Sequence, residues 1–355
     1  MIGWVAGAGL GVALEAPSTS LATEFATVFS APGAGTDDRV ASGGPFALTG
    51  SAGGAAHYNF STSLSKILRY SADAEARKTS GLGLAGLPEQ SLARRFNPFD
   101  LWIEGKYADL RSGSDLDGHI GLVTIGADYV VNPSVLVGAL AQFDSMRLHS
   151  ASKLTEVSGN GWMAGPYATF KLSDHVFLQT RAAWGRSSNE VSPFLTYKDD
   201  FATERWLVSS RLAGSWRTGA WTMTPSASVA YMEDAAESYV DTFGAVIPGV
   251  TSRLGQAKAG PEIGYRFQFG EGTVVEPHAG LQVIWDFARD TSAAGFGSVT
   301  TAVAGQASIR GKADLGLRAT TAGGIGLDLS RSYDGFGASG VQAVTGKAAV
   351  HVPLN

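Results

Sequence analysis

The stretch "GPEIGYRFQFGEGTVVEPHAGLQVIWDFARD" (residues 260–290) alternates in two runs around a Gly-Glu-Gly break. Before the break, Pro261, Ile263, Tyr265 and Phe267 share one parity, and Glu262, Gly264, Arg266 and Gln268 share the other. After it, Val275, Pro277, Ala279, Leu281, Val283, Trp285 and Phe287 line one side, opposite Glu276, His278, Gly280, Gln282 and Asp286, with Ile284 the exception. A period of two is the signature of a strand, so this is a strand–turn–strand with one apolar and one charged face. What the apolar face meets, protein or lipid, decides the fold.

Working outward, the same period runs from Phe96 to the end of the chain. Twelve segments carry it, near 99–110, 118–131, 134–147, 158–171, 175–188, 201–217, 221–233, 253–268, 273–288, 305–318, 323–333 and 340–354. Tight connections ("VNPS" 131–134, "LSDH" 172–175, "RTGA" 217–220, "FGEG" 269–272, "ATTAGG" 319–324) alternate with longer ones at 148–157, 189–200, 234–252 and 289–304. Short links at one end and long links at the other describe an antiparallel up-and-down meander. Leu101, Ile103 and Tyr107 oppose Glu104 and Lys106; Val137, Ala139, Ala141 and Phe143 oppose Gln142 and Asp144. Trp206, Val208, Leu212 and Trp216 oppose Arg205, Ser209 and Arg211; Ile309, Ala313, Leu315 and Leu317 oppose Arg310, Lys312, Asp314 and Arg318.

An even number of long strands with an apolar and a polar face fits a transmembrane β-barrel, lipid outside and polar lumen within. Closure satisfies every backbone group inside a bilayer. Tyr107, Tyr129, Phe143, Trp184, Trp216, Trp221, Tyr231 and Trp285 fall near expected strand ends, as aromatic girdles require. A soluble sandwich or β-helix would also alternate, so periodicity alone leaves both readings open. Strand length and a polar face poor in Lys favour the barrel. Pro166, Pro225, Pro261 and Pro277 inside expected strands count against it, because proline removes a ladder donor and a closed barrel has no edge.

Bulk composition agrees with a membrane or surface β protein. Charged residues are 17%, against roughly 25% in an ordinary soluble domain. A net charge of −5 leaves no basic footprint for nucleic acid. With no cysteine, disulfide frameworks and thiolate metal sites are excluded. No segment reaches the ~18 apolar residues of a membrane helix. The opening "MIGWVAGAGLGVALEA" lacks a basic region, so it reads as a loose Gly/Ala-rich segment, or as a fragment whose export signal lies upstream.

Residues 1–58 are Gly/Ala/Ser-rich and irregular, a passenger remnant or loop. Residues 59–95 form a linker: Phe60, Leu64, Ile67 and Leu68 at helical spacing, with Lys66, Arg69, Asp73, Glu75 and Arg77 around them, predict an amphipathic helix over 60–78. "GLGLAGLP" ends it.

The segments "FDLWIEGKYADL", "LVTIGADYVVNPSVLVGALAQFDSM", "GNGWMAGPYATFKLSDHVFLQTRAAWGRS", "PSASVAYMED", "GPEIGYRFQFGEGTVVEPHAGLQVIWDF" and "GKAAVHVPLN" resemble, in order and spacing, the C-terminal β-barrel (translocator) domain of autotransporters, over about 96–355. The resemblance implies an all-β fold: a twelve-stranded antiparallel up-and-down barrel with an N-terminal α-helix threading or plugging the lumen. It implies a place in the outer membrane of a Gram-negative bacterium and a role in type V secretion, anchoring and exporting an N-terminal passenger. The awkward prolines belong to the family pattern. Two departures stand out. The family usually ends in Phe or Trp, read by the outer-membrane assembly machinery, whereas this chain keeps Val350 and Val352 but ends Leu354-Asn355. The ~95 residues before the barrel are also too few for a long β-helical passenger, and no Asn-Asn pair of the kind some members cut is present.

No catalytic motif accompanies this pattern. The six histidines lack H-E-x-x-H spacing and there is no G-x-S-x-G. "RSGSDLDG" (111–118) has only a superficial likeness to an esterase block, and falls in an expected hairpin loop. The expectation is therefore a non-enzyme with no cofactor and no metal. The inward charges are the candidate functional residues: Glu104, Lys106, Asp128, Asp144, Arg181, Arg211, Glu262, Arg266, Glu276, Asp286, Arg310 and Lys312. They either pair among themselves to fill the pore or hold the plug helix through Lys66, Arg69, Asp73 or Arg77. Expected partners are outer-membrane lipid, the assembly machinery and the chain's own N-terminal segment, with the barrel monomeric. Alternatives are an outer-membrane pore or adhesin without secretion, and a soluble β-rich binding protein.

Overall fold

The computed structural model describes residues 98–112, 116–150, 154–192, 195–270, 272–293, 309–337 and 342–353. The expected helix over 60–78, with Lys66, Arg69, Asp73 and Arg77, lies outside these residues, as do Leu354 and Asn355.

The strands are β1 (Phe99–Ser112), β2 (Leu116–Asn132), β3 (Val135–Ser150), β4 (Thr155–Lys171), β5 (Val176–Ser192), β6 (Asp199–Gly214), β7 (Trp216–Thr218), β8 (Trp221–Met223), β9 (Ser226–Ala236), β10 (Tyr239–Val240), β11 (Val246–Ile247), β12 (Val250–Gly260), β13 (Glu262–Tyr265), β14 (Phe267–Phe269), β15 (Thr273–Ala293), β16 (Ile309–Thr320), β17 (Gly326–Phe336) and β18 (Gln342–Pro353). Each pairs antiparallel with its neighbours, and β1 pairs with β18, which closes the wall. β10 and β11 form a separate two-stranded hairpin in a long connection.

Several of these pieces are one strand interrupted. Ala213 pairs with Ser226 and, past the break, Trp216 pairs with Met223, so the register continues from β6–β9 into β7–β8. Likewise Gly260 pairs with Ser226 and Ile263 with Met223, which joins β12 to β13. Gly264 faces His278 and Phe267 faces Val275, which joins β13 to β14. Merging these segments leaves twelve crossings of the wall, in chain order.

The prolines explain the interruptions. Pro225 and Pro261 lie side by side on neighbouring crossings. Each keeps its acceptor half: Gly214 N–H donates to Pro225 O at 2.8 Å and Leu281 N–H to Pro261 O at 3.1 Å. Between them Thr224 and Glu262 exchange both amide bonds, at 2.7 and 3.1 Å. So each proline forfeits one donor, on opposite sides, and the register does not slip. Pro166 acts similarly: the β4–β5 ladder lapses at Gly165 and Pro166 and resumes in register at Tyr167–Arg181. Pro277 faces the lapse between β13 and β14 and still pairs with Leu317. True register shifts lie elsewhere, at Val130/Asn132, Gly255/Gln256 and Gly311/Lys312.

Both described ends of the wall, Phe99 and Pro353, sit at the end that carries the tight turns. Gly219, Gly270, Gly272 and Gly324 take positive φ in three of these turns, where a side chain would be strained. In outer-membrane barrels the short turns face the periplasm.

The outer face is apolar as expected: Leu101, Ile103, Tyr107, Val123, Ile125, Phe143, Val208, Leu281, Val283, Leu315 and Leu329 are all exposed. Its aromatics differ from expectation in one respect. Trp184 and Trp206 stand mid-strand, in contact with each other and, through Trp184, with Trp162. The strands run on past the aromatic belt toward the long loops, so a bilayer girdle need not mark a strand end. Beside this ladder Trp184 Nε1 donates to Glu204 at 2.6 Å and Arg186 lies over the Trp184 ring, the amphipathic setting of a membrane interface.

The lumen is less polar than the alternation implied. At the turn end Trp102, Leu136, Leu140, Tyr167 and Phe177 pack together inside. At the loop end Leu110, Ile120, Met146, Leu148, Val157, Val191 and Phe201 do the same. Ile284, the exception to its strand's alternation, is fully buried. Where both faces are apolar, alternation disappears, and with it the sequence signal for what faces inward.

Candidate functional site

The inward charges form linked clusters on the lumen wall. Arg205 is 3% exposed and joins two acids: its Nη1 donates to both Asp144 oxygens at 2.7 and 2.9 Å, and its Nε to Asp234 at 3.3 Å. Asp144 is on β3 and Arg205 on β6, with β4 and β5 between them, and the link crosses Gly161 of β4. A Cβ at Gly161 would press into the guanidinium and the Asp144 carboxylate.

On the opposite side Arg310 bridges Asp286 and Asp334, both at 2.7 Å, and Gln256 donates to the second Asp286 oxygen at 2.7 Å. Arg318 is the hub of a third cluster, with Glu262 at 2.6 Å, Asp328 at 3.2 Å and Glu276 at 3.3 Å. Arg266 adds to Glu276 at 3.5 Å and Lys347 to Asp328 at 3.1 Å. Near the turn end Tyr167 OH accepts from Trp102 Nε1 at 2.8 Å and donates to Asp128 at 3.2 Å. Asp100 lies 2.7 Å from His351. Lys106 meets Glu104 at 2.6 Å. Buried charges of this kind are tolerable only when paired and hydrogen-bonded.

All twelve expected lumen residues therefore sit on the inner face, most within three clusters or a pair. Arg181 and Lys312 do not join an ion pair among the described residues, and Arg211 donates to Ser226 at 3.1 Å. The clusters also recruit Asp100, Asp234, Asp328, Asp334, Lys347 and His351. Asp334 lies beyond the strand end expected at 333, and Asp328 was legible only as an inward parity. Val350 and Val352 point outward on β18. Outside the membrane, Lys171 donates to Asp174 at the β4–β5 turn and holds its carboxyl below the ordinary range.

Glu262, His278 and Asp314 bring ligand atoms within 4.8 Å of one another. Arg318 already supplies a cation to Glu262 there, so counter-charge is present without a metal. A broad, open cavity of about 1190 Å³ is lined from both faces of the wall, by inward Lys106, Asp144 and Lys347 and by outward Tyr107, Phe143 and Leu315.

The autotransporter β-domain family model matches residues 101–337, and the chain belongs to that family. It is an outer-membrane translocator barrel of a Gram-negative bacterium, of a kind that is not itself enzymatic. The β-domain of the Bordetella autotransporter BrkA superposes with a TM-score of 0.59 at 17% identity, over 73% of this chain and 100% of that one. The translocator domain of NalP from Neisseria meningitidis gives 0.57 at 13% identity, over 80% and 95%. The transport unit of AIDA-I from Escherichia coli gives 0.56 at 12%, over 78% and 96%. At these identities the likeness is one of fold. No curated protein matches the sequence.

Proposed function

We propose that the lumen clusters are the working part of the translocator: a polar wall along which the chain's own N-terminal segment is carried to the cell surface and then held. The closed β1–β18 seam carries this reading, because it puts lipid on one face and the paired charges on the other. Residues 59–95 serve as the linker, with Lys66, Arg69, Asp73 and Arg77 meeting the wall, and residues 1–58 as what is exported. Energy comes from folding and assembly rather than from a nucleotide. Val350, Val352, Leu354 and Asn355 are the strand read by the outer-membrane assembly machinery, and the barrel works as a monomer without enzymatic activity.

An epitope inserted within residues 1–58 of the full chain tests this in intact cells. Surface labelling that depends on residues 59–95 is expected. Labelling only after the outer membrane is permeabilised would overturn it. The same closed wall with a polar inner face admits one second reading, a pore without export. That reading requires steady conductance by the full chain in planar bilayers, together with absence of surface label.

A further inference from the structure

Two adjacent inward rows cross β4, β5, β6, β9 and β12. In one, Tyr167 pairs with Arg181, Arg181 with Ser209, Ser209 with Ala230 and Ala230 with Gln256. In the next, Gln179 pairs with Arg211, Arg211 with Ser228 and Ser228 with Lys258. The middle of this patch is built of small residues, Ser209, Ala230 and Ser228, flanked by the long cationic side chains of Arg181, Arg211 and Lys258. The result is a pocket of about 50 Å³, with no carboxylate among its lining residues.

Two of its cations make no ion pair among the described residues, although Glu104 lies within electrostatic range of Arg181, and Asp334 and Asp286 of Lys258. Arg181 is 7% exposed; its Nε donates to Ser209 Oγ at 3.0 Å, but its Nη2 is buried and unpartnered. Lys258, also 7% exposed, has no ion pair or hydrogen bond among the described residues. The acids on the adjoining strands are committed: Asp286 and Asp334 hold Arg310 at 2.7 Å each, and Gln256 takes the other Asp286 oxygen. Elsewhere on the wall Lys106, Arg205, Arg310, Arg318 and Lys347 are each matched by acids, as burial demands. Here two cations share a cavity with hydroxyl donors. Ser209 accepts from Arg181 and so has its own proton to give.

We propose that this pocket binds one small anionic group, a phosphate or a carboxylate, through Arg181 Nη2, the Lys258 ammonium and the hydroxyls of Ser209 and Ser228. The volume suits it: it exceeds the roughly 10–15 Å³ that one water needs, and charge-assisted bonds to two cations are the strong class of hydrogen bond. The site borders the lumen clusters through Gln256 and Tyr167 but uses none of their ion-paired residues, and its occupancy does not depend on secretion.

The probe is inorganic phosphate, added to the full chain refolded in detergent micelles. Unfolding midpoints are followed by heat-modifiable gel migration, with sodium chloride at matched ionic strength as reference. Phosphate is expected to raise the midpoint of the wild type and of Lys347→Met, whose cation lies outside the pocket. In Lys258→Met and Arg181→Met, affinity should fall about tenfold or more, the loss of one charge-assisted bond. Ser228→Val fills the floor and keeps both cations; it should lose the response while retaining the folded migration, which covers the case of a charge variant that fails to fold. To separate free anion from tethered carboxylate, Asp73→Asn/Glu75→Gln is compared with the wild type. A phosphate response that appears only in that double variant assigns the pocket to a carboxylate of the chain. No response in either protein, or an equal response in Lys258→Met, overturns the proposal.

Discussion

Arg205 on β6 reaches Asp144 on β3 at 2.7 Å over the bare Cα of Gly161. Three strands are tied by one side chain, and the tie exists only because the intervening residue has none. Arg205→Met leaves Asp144 and Asp234 buried beside each other without their cation. Urea unfolding in detergent should show a loss of about 3–5 kcal/mol, the usual cost of breaking one side of a buried pair. Gly161→Leu should lower stability as well, with both charges still present.

The face assignment is checked on adjacent residues. Arg266 lies inside against Glu276, and Phe267 lies outside. Arg266→Leu should lower the melting of the barrel, whereas Phe267→Leu, which keeps the outer face apolar, should change it little. Equal, negligible effects would reverse the assignment.

An outward cation gives the complementary test. Leu281 is exposed on β15, between the ends of a long strand. Leu281→Arg should cost up to about 2–4 kcal/mol in a lipid bilayer, depending on its depth. The same substitution should be nearly neutral in a soluble protein, so the size of the penalty reports lipid contact directly.

Gly165 and Gly260 each precede a proline, and each lies against a backbone carbonyl across the ladder, Ala182 O and Leu281 O respectively. Those carbonyls face the prolines that lack an N–H, so the close approach of a glycine Cα supplies a weak C–H contact where the amide is missing. Gly165→Ala or Gly260→Ala forces backbone against backbone and should destabilise by about 1–3 kcal/mol. Gly105→Ala and Gly346→Ala, whose added carbon meets nothing closer than 4.0 Å, serve as controls and should be tolerated.

Much of this was readable from the residues. Ile263, Phe267, Glu262 and Arg266 declare their faces by parity alone, and the twelve crossings follow from repeating that reading. The family resemblance turned an alternating sheet into a closed barrel, and the match over 101–337 agrees. Leu136 and Phe177 could not be placed inside, because their strands are apolar on both sides at that end. The partners of Arg205 were also hidden: that it meets Asp144 depends on how strands three apart are sheared, which parity does not record. The Ala-Gly-Pro triplets at 164–166 and 259–261 are visible in the sequence, but their sense needs the opposite carbonyl.

The side-by-side prolines have one more consequence. Gly214, Pro225, Pro261 and Leu281 run across four neighbouring crossings as a line of thinned hydrogen bonding. The panel below that line, made of β7, β8, β13 and β14, is attached to the upper wall through fewer amide bonds than any uninterrupted ladder supplies. In hydrogen exchange, opening of a β sheet follows such weak lines. The amides of this panel should therefore exchange together, ahead of their continuations in β6, β9 and β12, so that the barrel wall contains a hatch at its turn end.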